Sequence, residues 1–179
     1  ISDPANPFEV GFLANPGYAL GVAVSGIYAF LAASDAGLRL VDISDPANPV
    51  EVRFYDTLDI ASGVAVTDGY AYVADGLAGL QIVDIANPAS PSRIGSLDTP
   101  GQAVGVTVSG NYAYVADSAA GIQIVNVSNR FAPLLVGTCD TPGGAMDVVV
   151  SDVYAYVADG AEGLQVVDIT VKTSPEIAA

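Results

Sequence analysis

The feature that most constrains this chain is a repeat of 42 residues, run four times without an insertion or deletion. Tyr28-Ala29-Phe30 returns as Tyr70-Ala71-Tyr72, Tyr112-Ala113-Tyr114 and Tyr154-Ala155-Tyr156. Leu38-Arg39-Leu40-Val41-Asp42 returns as Leu80-Gln81-Ile82-Val83-Asp84, Ile122-Gln123-Ile124-Val125-Asn126 and Leu164-Gln165-Val166-Val167-Asp168. A period of this size implies stacked or radially arranged copies of one supersecondary unit. Such scaffolds carry many unrelated functions, so the period constrains architecture far more than activity.

The second unit serves as a pattern for all. Gly63-Val64-Ala65-Val66 is a short apolar run closed by Thr67-Asp68-Gly69, and Tyr70-Ala71-Tyr72-Val73-Ala74 follows directly, which predicts a hairpin. Asp75-Gly76-Leu77-Ala78-Gly79 then turns the chain into Leu80–Ile85, and Asn87-Pro88-Ala89-Ser90-Pro91 turns it into Ser92–Leu97. Each unit therefore reads as a four-stranded antiparallel meander, A to D. Turn residues recur too often for a helical stripe. Radial repetition of such a unit makes an all-β fold, a β-propeller of four blades, with the small residues of strand A at the crowded axis. The whole chain reads as one repeat domain, with units over 19–60, 61–102, 103–144 and 145–179, the last completed by 1–18.

In strand B the tyrosines face one side and the intervening alanine the other. Seven of the nine tyrosines occupy these places and Phe30 takes the eighth, the pattern of rings packed between blades. The segments Val73-Ala74-Asp75, Leu80-Gln81-Ile82-Val83-Asp84-Ile85 and Ser44-Asp45-Pro46-Ala47-Asn48-Pro49 resemble the LVIVD-repeat family over the whole chain. The departures are Asn126 for an Asp and Ala33 for the Asp of Val-Ala-Asp. The resemblance implies a propeller-like scaffold, found mostly in bacterial and archaeal surface or secreted proteins, and an extracellular or cell-surface location. It implies no catalytic mechanism.

Twenty acids against five bases give a net charge of −15, which opposes nucleic-acid binding, since phosphate contacts need clustered Lys and Arg. With no His and only Cys139, an internal disulfide and a Cys/His zinc site are excluded. Val10 to Ser34 is uncharged and long enough to cross a bilayer. It is broken by Asn15-Pro16-Gly17 and Ser25-Gly26, and its counterpart one period later holds Asp56, Asp59 and Asp68, so no membrane span is expected. The opening Ile1 and the lack of a signal peptide suggest a processed product or a piece of something longer.

Ile1–Pro7 duplicates Ile43–Pro49, so Phe8–Leu13 is expected to be a strand D. Strand C of the last unit finishes near Ile169, and the expected closure pairs the N-terminal strand with the last blade, removing two exposed edges. A four-blade monomer, an eight-blade homodimer and a segment of a longer array all satisfy this pattern.

Alternating strand directions place Asp35, Asp56, Asp59, Asp75, Asp98, Asp117, Asp140, Asp159 and Glu162 at one face, with Asp147 near the same channel mouth. Asp75, Asp117, Asp147 and Asp159 form the candidate cation face, with Ca²⁺ as the suited ion and a basic partner as the other occupant. The competing reading is that each Asp caps its own turn. No segment carries a calcium-loop spacing. Asp42, Asp84 and Asp168, fixed at the end of strand C, are read as structural carboxylates that satisfy buried donors. Asn126-Val127-Ser128 fits a glycosylation acceptor but occupies that structural Asp position.

There is no His for a triad, no base beside Cys139, and neither a phosphate loop nor a nucleophile elbow. Two functions remain. The first is a non-catalytic surface or secreted scaffold for protein interaction or self-assembly, with no cofactor. The alternative is a metal-dependent hydrolase or lyase using carboxylates at the channel mouth.

Overall fold

A computed structural model describes residues 5–14 and 17–178. Four four-stranded antiparallel sheets follow one another along the chain, each with its strands in sequence order. Blade 1 holds β1 (Gly21–Ser25), β2 (Tyr28–Ala32), β3 (Leu38–Asp42) and β4 (Val50–Tyr55). Blade 2 holds β5 (Ala61–Thr67), β6 (Tyr70–Asp75), β7 (Leu80–Asp84) and β8 (Ser92–Leu97). In blade 3 these become β9 (Gly105–Ser109), β10 (Tyr112–Ala116), β11 (Ile122–Asn126) and β12 (Leu134–Cys139). Blade 4 has β13 (Asp147–Ser151), β14 (Tyr154–Ala158), β15 (Leu164–Asp168) and a two-residue β16 (Glu176–Ile177). One 3₁₀ turn, Gly160–Glu162, is the single helical element among the described residues.

The turn chemistry sets the register. Asp68 and Gly69 both have positive φ, 53° and 79°, the conformation a tight two-residue hairpin requires, and they place Thr67 opposite Tyr70. The bulge between strands C and D falls at the same step in blades 1 to 3, after Leu40, Ile82 and Ile124. Those strand pairs therefore share one local twist.

The core lies between blades. Along β6, Ala71 and Val73 pack with Phe30, Leu38 and Leu40 of blade 1, whereas Tyr72 and Ala74 pack with Val106, Val115 and Val125 of blade 3. Strand B thus serves two neighbours with its two faces, which is why its residues alternate ring and small side chain. The third cluster repeats the arrangement, with Tyr114, Ile122 and Ile124 against Val148, Val157 and Val167. Each fully buried aliphatic contributes roughly 1.5–3 kcal/mol relative to exposure.

Main-chain bridges stitch the blades together. Ser34 and Ala61 exchange two hydrogen bonds at 2.9 and 3.1 Å, and Gly76–Ala103 and Ser118–Ala145 repeat the exchange at 2.9–3.1 Å. The inner strands pack in series, β1 on β5, β5 on β9 and β9 on β13. Glycine permits this approach. A Cβ on Gly63 would meet the Val104 carbonyl oxygen at 2.9 Å, and one on Gly105 would meet Asp147 Cα at 2.9 Å. The fourth place in this series is Asp147 itself, on the inner strand that has no further inner strand packed beyond it.

Two features of the chain ends differ from the sequence reading. Phe8–Leu13 forms no strand, and the fourth place of the last sheet is taken by β16, which pairs Ile177 with Val167 and Glu176 with Asp168. The expected pairing of the N-terminal strand with the last blade is therefore not present within the chain. The physical reason is proximity: Glu176 follows β15 by a short turn, whereas Gly11 lies beside the C–D turn of blade 1. A Cβ on Gly11 would meet the carbonyl oxygens of Pro46 and Ala47 at 2.5 and 2.6 Å. Ile1–Pro4 and the expected break at Asn15-Pro16 lie outside the described residues.

Candidate functional site

Six carboxylates recur at fixed places, three at the ends of B strands and three at the ends of C strands. Asp75, Asp117 and Asp159, read from the sequence as part of a candidate cation face or else as caps of their own turns, are fully buried at the ends of their B strands. Each reaches back 16 to 18 residues to the loop that leads into its own blade. Asp117 Oδ1 accepts the Thr99 hydroxyl at 2.6 Å, and Oδ2 accepts the Gly101 N–H at 2.8 Å. Asp159 does the same with Thr141 at 2.6 Å and Gly143 at 2.9 Å. In blade 2 Asp75 accepts the N–H of Leu58 at 2.9 Å and that of Asp59 at 3.3 Å.

These carboxylates latch the loop entering the blade to the loop leaving strand B. Burial pushes the Asp117 carboxyl above its ordinary range, opposed by the Thr99 and Gly101 hydrogen bonds, while nearby Asp98 pushes it up further. Burial likewise raises Asp75, against hydrogen bonds from the Thr57–Asp59 segment, with the Asp59 charge adding to the rise. The partners Thr99, Gly101, Thr141 and Gly143 are functional residues that the sequence reading missed. Their signal was the Thr-Pro-Gly triplet recurring at the repeat period, 18 residues before Asp117 and Asp159. Blade 1, with Ala33 in the carboxylate position, has no such latch.

Asp42, Asp84 and Asp168, expected to satisfy buried donors, instead close exposed turns. Their Oδ1 atoms accept the N–H two residues on, from Ser44, Ala86 and Thr170, at 2.8–2.9 Å. Hydrogen bonds from Ser44 lower Asp42 below the usual carboxylate range, and those from Thr170 lower Asp168. Asn126 performs the same task as an amide, accepting both the N–H and the hydroxyl of Ser128. A neutral acceptor serves equally well because the donor is a local N–H rather than a cation.

Asp147, the fourth member of the candidate cation face, sits apart from the other three. It is exposed at the start of β13, and its Oδ1 accepts the N–H of Val148 at 2.9 Å. It borders a cavity of ≈ 390 Å³ lined by the inner strands of all four blades, among them Val22, Gly63, Val106 and Val149. Apart from Asp147 and two hydroxyls, Ser62 and Thr107, the side chains lining it are those of Leu, Val and Met146, with glycines between them. Among the described residues no three of His, Cys, Asp and Glu come close enough to hold a metal ion. Cys139 is buried, and burial raises its thiol above the usual range, the reverse of an activated nucleophile.

A basic clamp crosses the blades. Arg130, in the C–D turn of blade 3, donates from Nε to the Tyr72 hydroxyl at 2.9 Å and lies 4.5 Å from the Tyr70 ring centre. It also pairs with Asp68 at 3.2 Å. Lys172 occupies the equivalent turn of blade 4, 5.9 and 5.8 Å from the Tyr112 and Tyr114 rings. The strand B rings are thus inter-blade structure.

Four-stranded antiparallel blades set side by side about inner strands, with carboxylate-latched loops, define a β-propeller-type repeat protein. Within that class the chain belongs to the LVIVD-repeat family, whose repeat model matches residues 16–57, 60–99, 100–141 and 142–179. The fold is similar to that of the computationally designed Ika4 protein, with a TM-score of 0.73 at 12% identity, covering 92% of this chain and 99% of that one. It is also similar to the computationally designed Ika8 protein, with a TM-score of 0.70 at 11% identity, covering 91% of this chain but 48% of that one. No curated protein matches the sequence.

Proposed function

We propose that this protein is a non-catalytic scaffold, exposed at the cell surface or secreted, that works through protein interaction or self-assembly. The observation that carries this reading is the employment of its recurring acids. Asp75, Asp117 and Asp159 spend their oxygens on loop donors of their own blades, which supports a structural rather than an acid–base role for them. The family supports the location, since such repeats occur mostly in surface or secreted proteins. Among the described residues no helix is long and apolar enough to cross a membrane.

The test has two arms. Intact producing cells are treated with an impermeant amine label and the medium is collected, and the protein should appear in the labelled or the released fraction. The purified chain is offered sugar and ester substrates with and without calcium, magnesium or zinc, and should show no turnover. Metal-dependent turnover abolished by Asp147→Asn would replace this reading with a hydrolase or lyase.

A further inference from the structure

The two ends of the arc are halves of one inter-blade junction. In blades 2, 3 and 4 the face turned to the preceding blade buries Val64, Val106 and Val148, whereas the equivalent Val22 of blade 1 is 64% exposed. In blades 1, 2 and 3 the face turned to the following blade buries Leu38, Leu80 and Ile122, whereas the equivalent Leu164 of blade 4 is 64% exposed. The main-chain stitch is divided in the same way. Ala61, Ala103 and Ala145 each bridge to the blade before, and their counterpart Ala19 is exposed. Ser34, Gly76 and Ser118 each bridge to the blade after, and their counterpart Gly160 is exposed.

The outer edge shows the same division. β16 pairs with Val167 and Asp168, and among the described residues the β15 positions Leu164 and Gln165 have no strand D partner like those that Leu80 and Gln81 have in Leu97 and Ser96. The N-terminal segment lies where the strand D of a preceding blade would lie. Gly11 abuts the Pro46 carbonyl as Gly95 abuts that of Arg130 and Gly137 that of Lys172. Within one chain these halves do not meet, since no packing comparable to β1 on β5 joins β13 back to β1.

We propose that a second copy of this chain supplies the missing half, blade 4 of each copy docking on blade 1 of the other, so that two arcs close one eight-blade ring. The established inter-blade junction, present three times in each chain, is the template. Val22 of one copy enters the pocket of Tyr156, Leu164 and Val166 of the other, Ala19 bridges to Gly160, and Phe12 and Leu13 extend the short β16 ladder beside Gln165 and Leu164. The interface is two-fold symmetric and leaves no blade face open, which distinguishes it from a filament. Asp147 sets the new junction apart from the internal ones. It stands where Gly21, Gly63 and Gly105 allow close approach, so its side chain holds the two copies slightly wider than neighbouring blades.

This proposal specifies the self-assembly in the scaffold reading, and its test reads mass rather than location or turnover. Light scattering and equilibrium sedimentation of the whole chain should give twice 18.0 kDa. Leu164→Glu and Val22→Glu should each give 18.0 kDa with an unchanged β circular dichroism spectrum, while Leu77→Glu, equally exposed but in a B–C loop, should leave the mass doubled. Asp147→Gly should tighten the association about tenfold. Should a glutamate variant fail to fold, hydrogen exchange of the wild type decides. The amides of Ala19 and Gly160 should be protected at high concentration and lose protection on dilution. A mass of 18.0 kDa at every concentration overturns the proposal, with protected amides indicating closure of the chain on itself. A mass that grows without limit overturns it in favour of a filament.

Discussion

The Thr99 hydroxyl donates to the Asp117 carboxylate at 2.6 Å, with both side chains buried and 18 residues of chain between them. The bond joins the entrance of blade 3 to the end of its second strand, so the loop facing the channel mouth is held by the blade it feeds.

Removing the acceptor should cost more than removing the donor. Asp117→Ala leaves the Thr99 hydroxyl and the Gly101 N–H without their partner, and a loss of about 2–4 kcal/mol follows from roughly 1–3 kcal/mol per buried unsatisfied group. Thr99→Val should cost less, because the carboxylate keeps Gly101. Urea unfolding of both variants checks the order, and an Asp117→Ala loss within error of zero would remove the latch from this account.

The latch also predicts a pH dependence. Burial raises the Asp117 carboxyl above its ordinary value of 3.8, so the folded state holds that proton more tightly than the unfolded chain. Its contribution is therefore complete below 3.8 and is lost as pH rises through the raised folded value. Asp42 and Asp168, lowered by their turn hydrogen bonds, act oppositely, their contribution present above 3.8 and lost as pH falls through their folded values. Urea midpoints of wild type and Asp117→Asn should diverge as pH climbs above 3.8, the wild type losing ground relative to the variant. Parallel curves through that window contradict the assignment.

The clamp from blade 3 onto blade 2 should be cooperative. Arg130→Ala removes a charge-assisted bond to Tyr72 and a ring contact with Tyr70, together about 1–3 kcal/mol in a partly exposed setting. Tyr72→Phe should lose less, and the double variant less than the sum, since both lose the same bond. Strict additivity in the mutant cycle would mean that the hydroxyl and the guanidinium do not interact in solution.

Calcium should leave the melting temperature unchanged. A cation stabilises only by binding the folded state, and the oxygens of Asp117 and Asp159 are already occupied by Thr and Gly donors. A rise in millimolar calcium relative to chelator, lost in Asp147→Asn, would locate an ion site at the cavity.

The four strands of each blade were legible because turn residues and alternating ring and alanine positions encode them locally. The paired burial of Ala71 and Tyr72 followed directly from that alternation. The roles of the aspartates were not. Asp75 and Asp84 both end a strand and precede a turn, and only the folded chain shows that one faces an incoming loop while the other faces water. The separation of 18 residues between Thr99 and Asp117 lies beyond any local capping rule. The place of Phe8–Leu13 was not legible for a related reason: a duplicate of a strand D sequence has more than one site that accepts it, and sequence identity does not rank them.

The bridges Ser34–Ala61, Gly76–Ala103 and Ser118–Ala145 are made by peptide groups alone. A stitch that ignores side-chain identity is common to all units, so tandem duplication or deletion of a whole 42-residue unit leaves the main-chain part of every remaining junction intact. Genes built on this plan can change copy number in single recombination steps, with the number of blades in the array, rather than the stability of each, as the quantity exposed to selection.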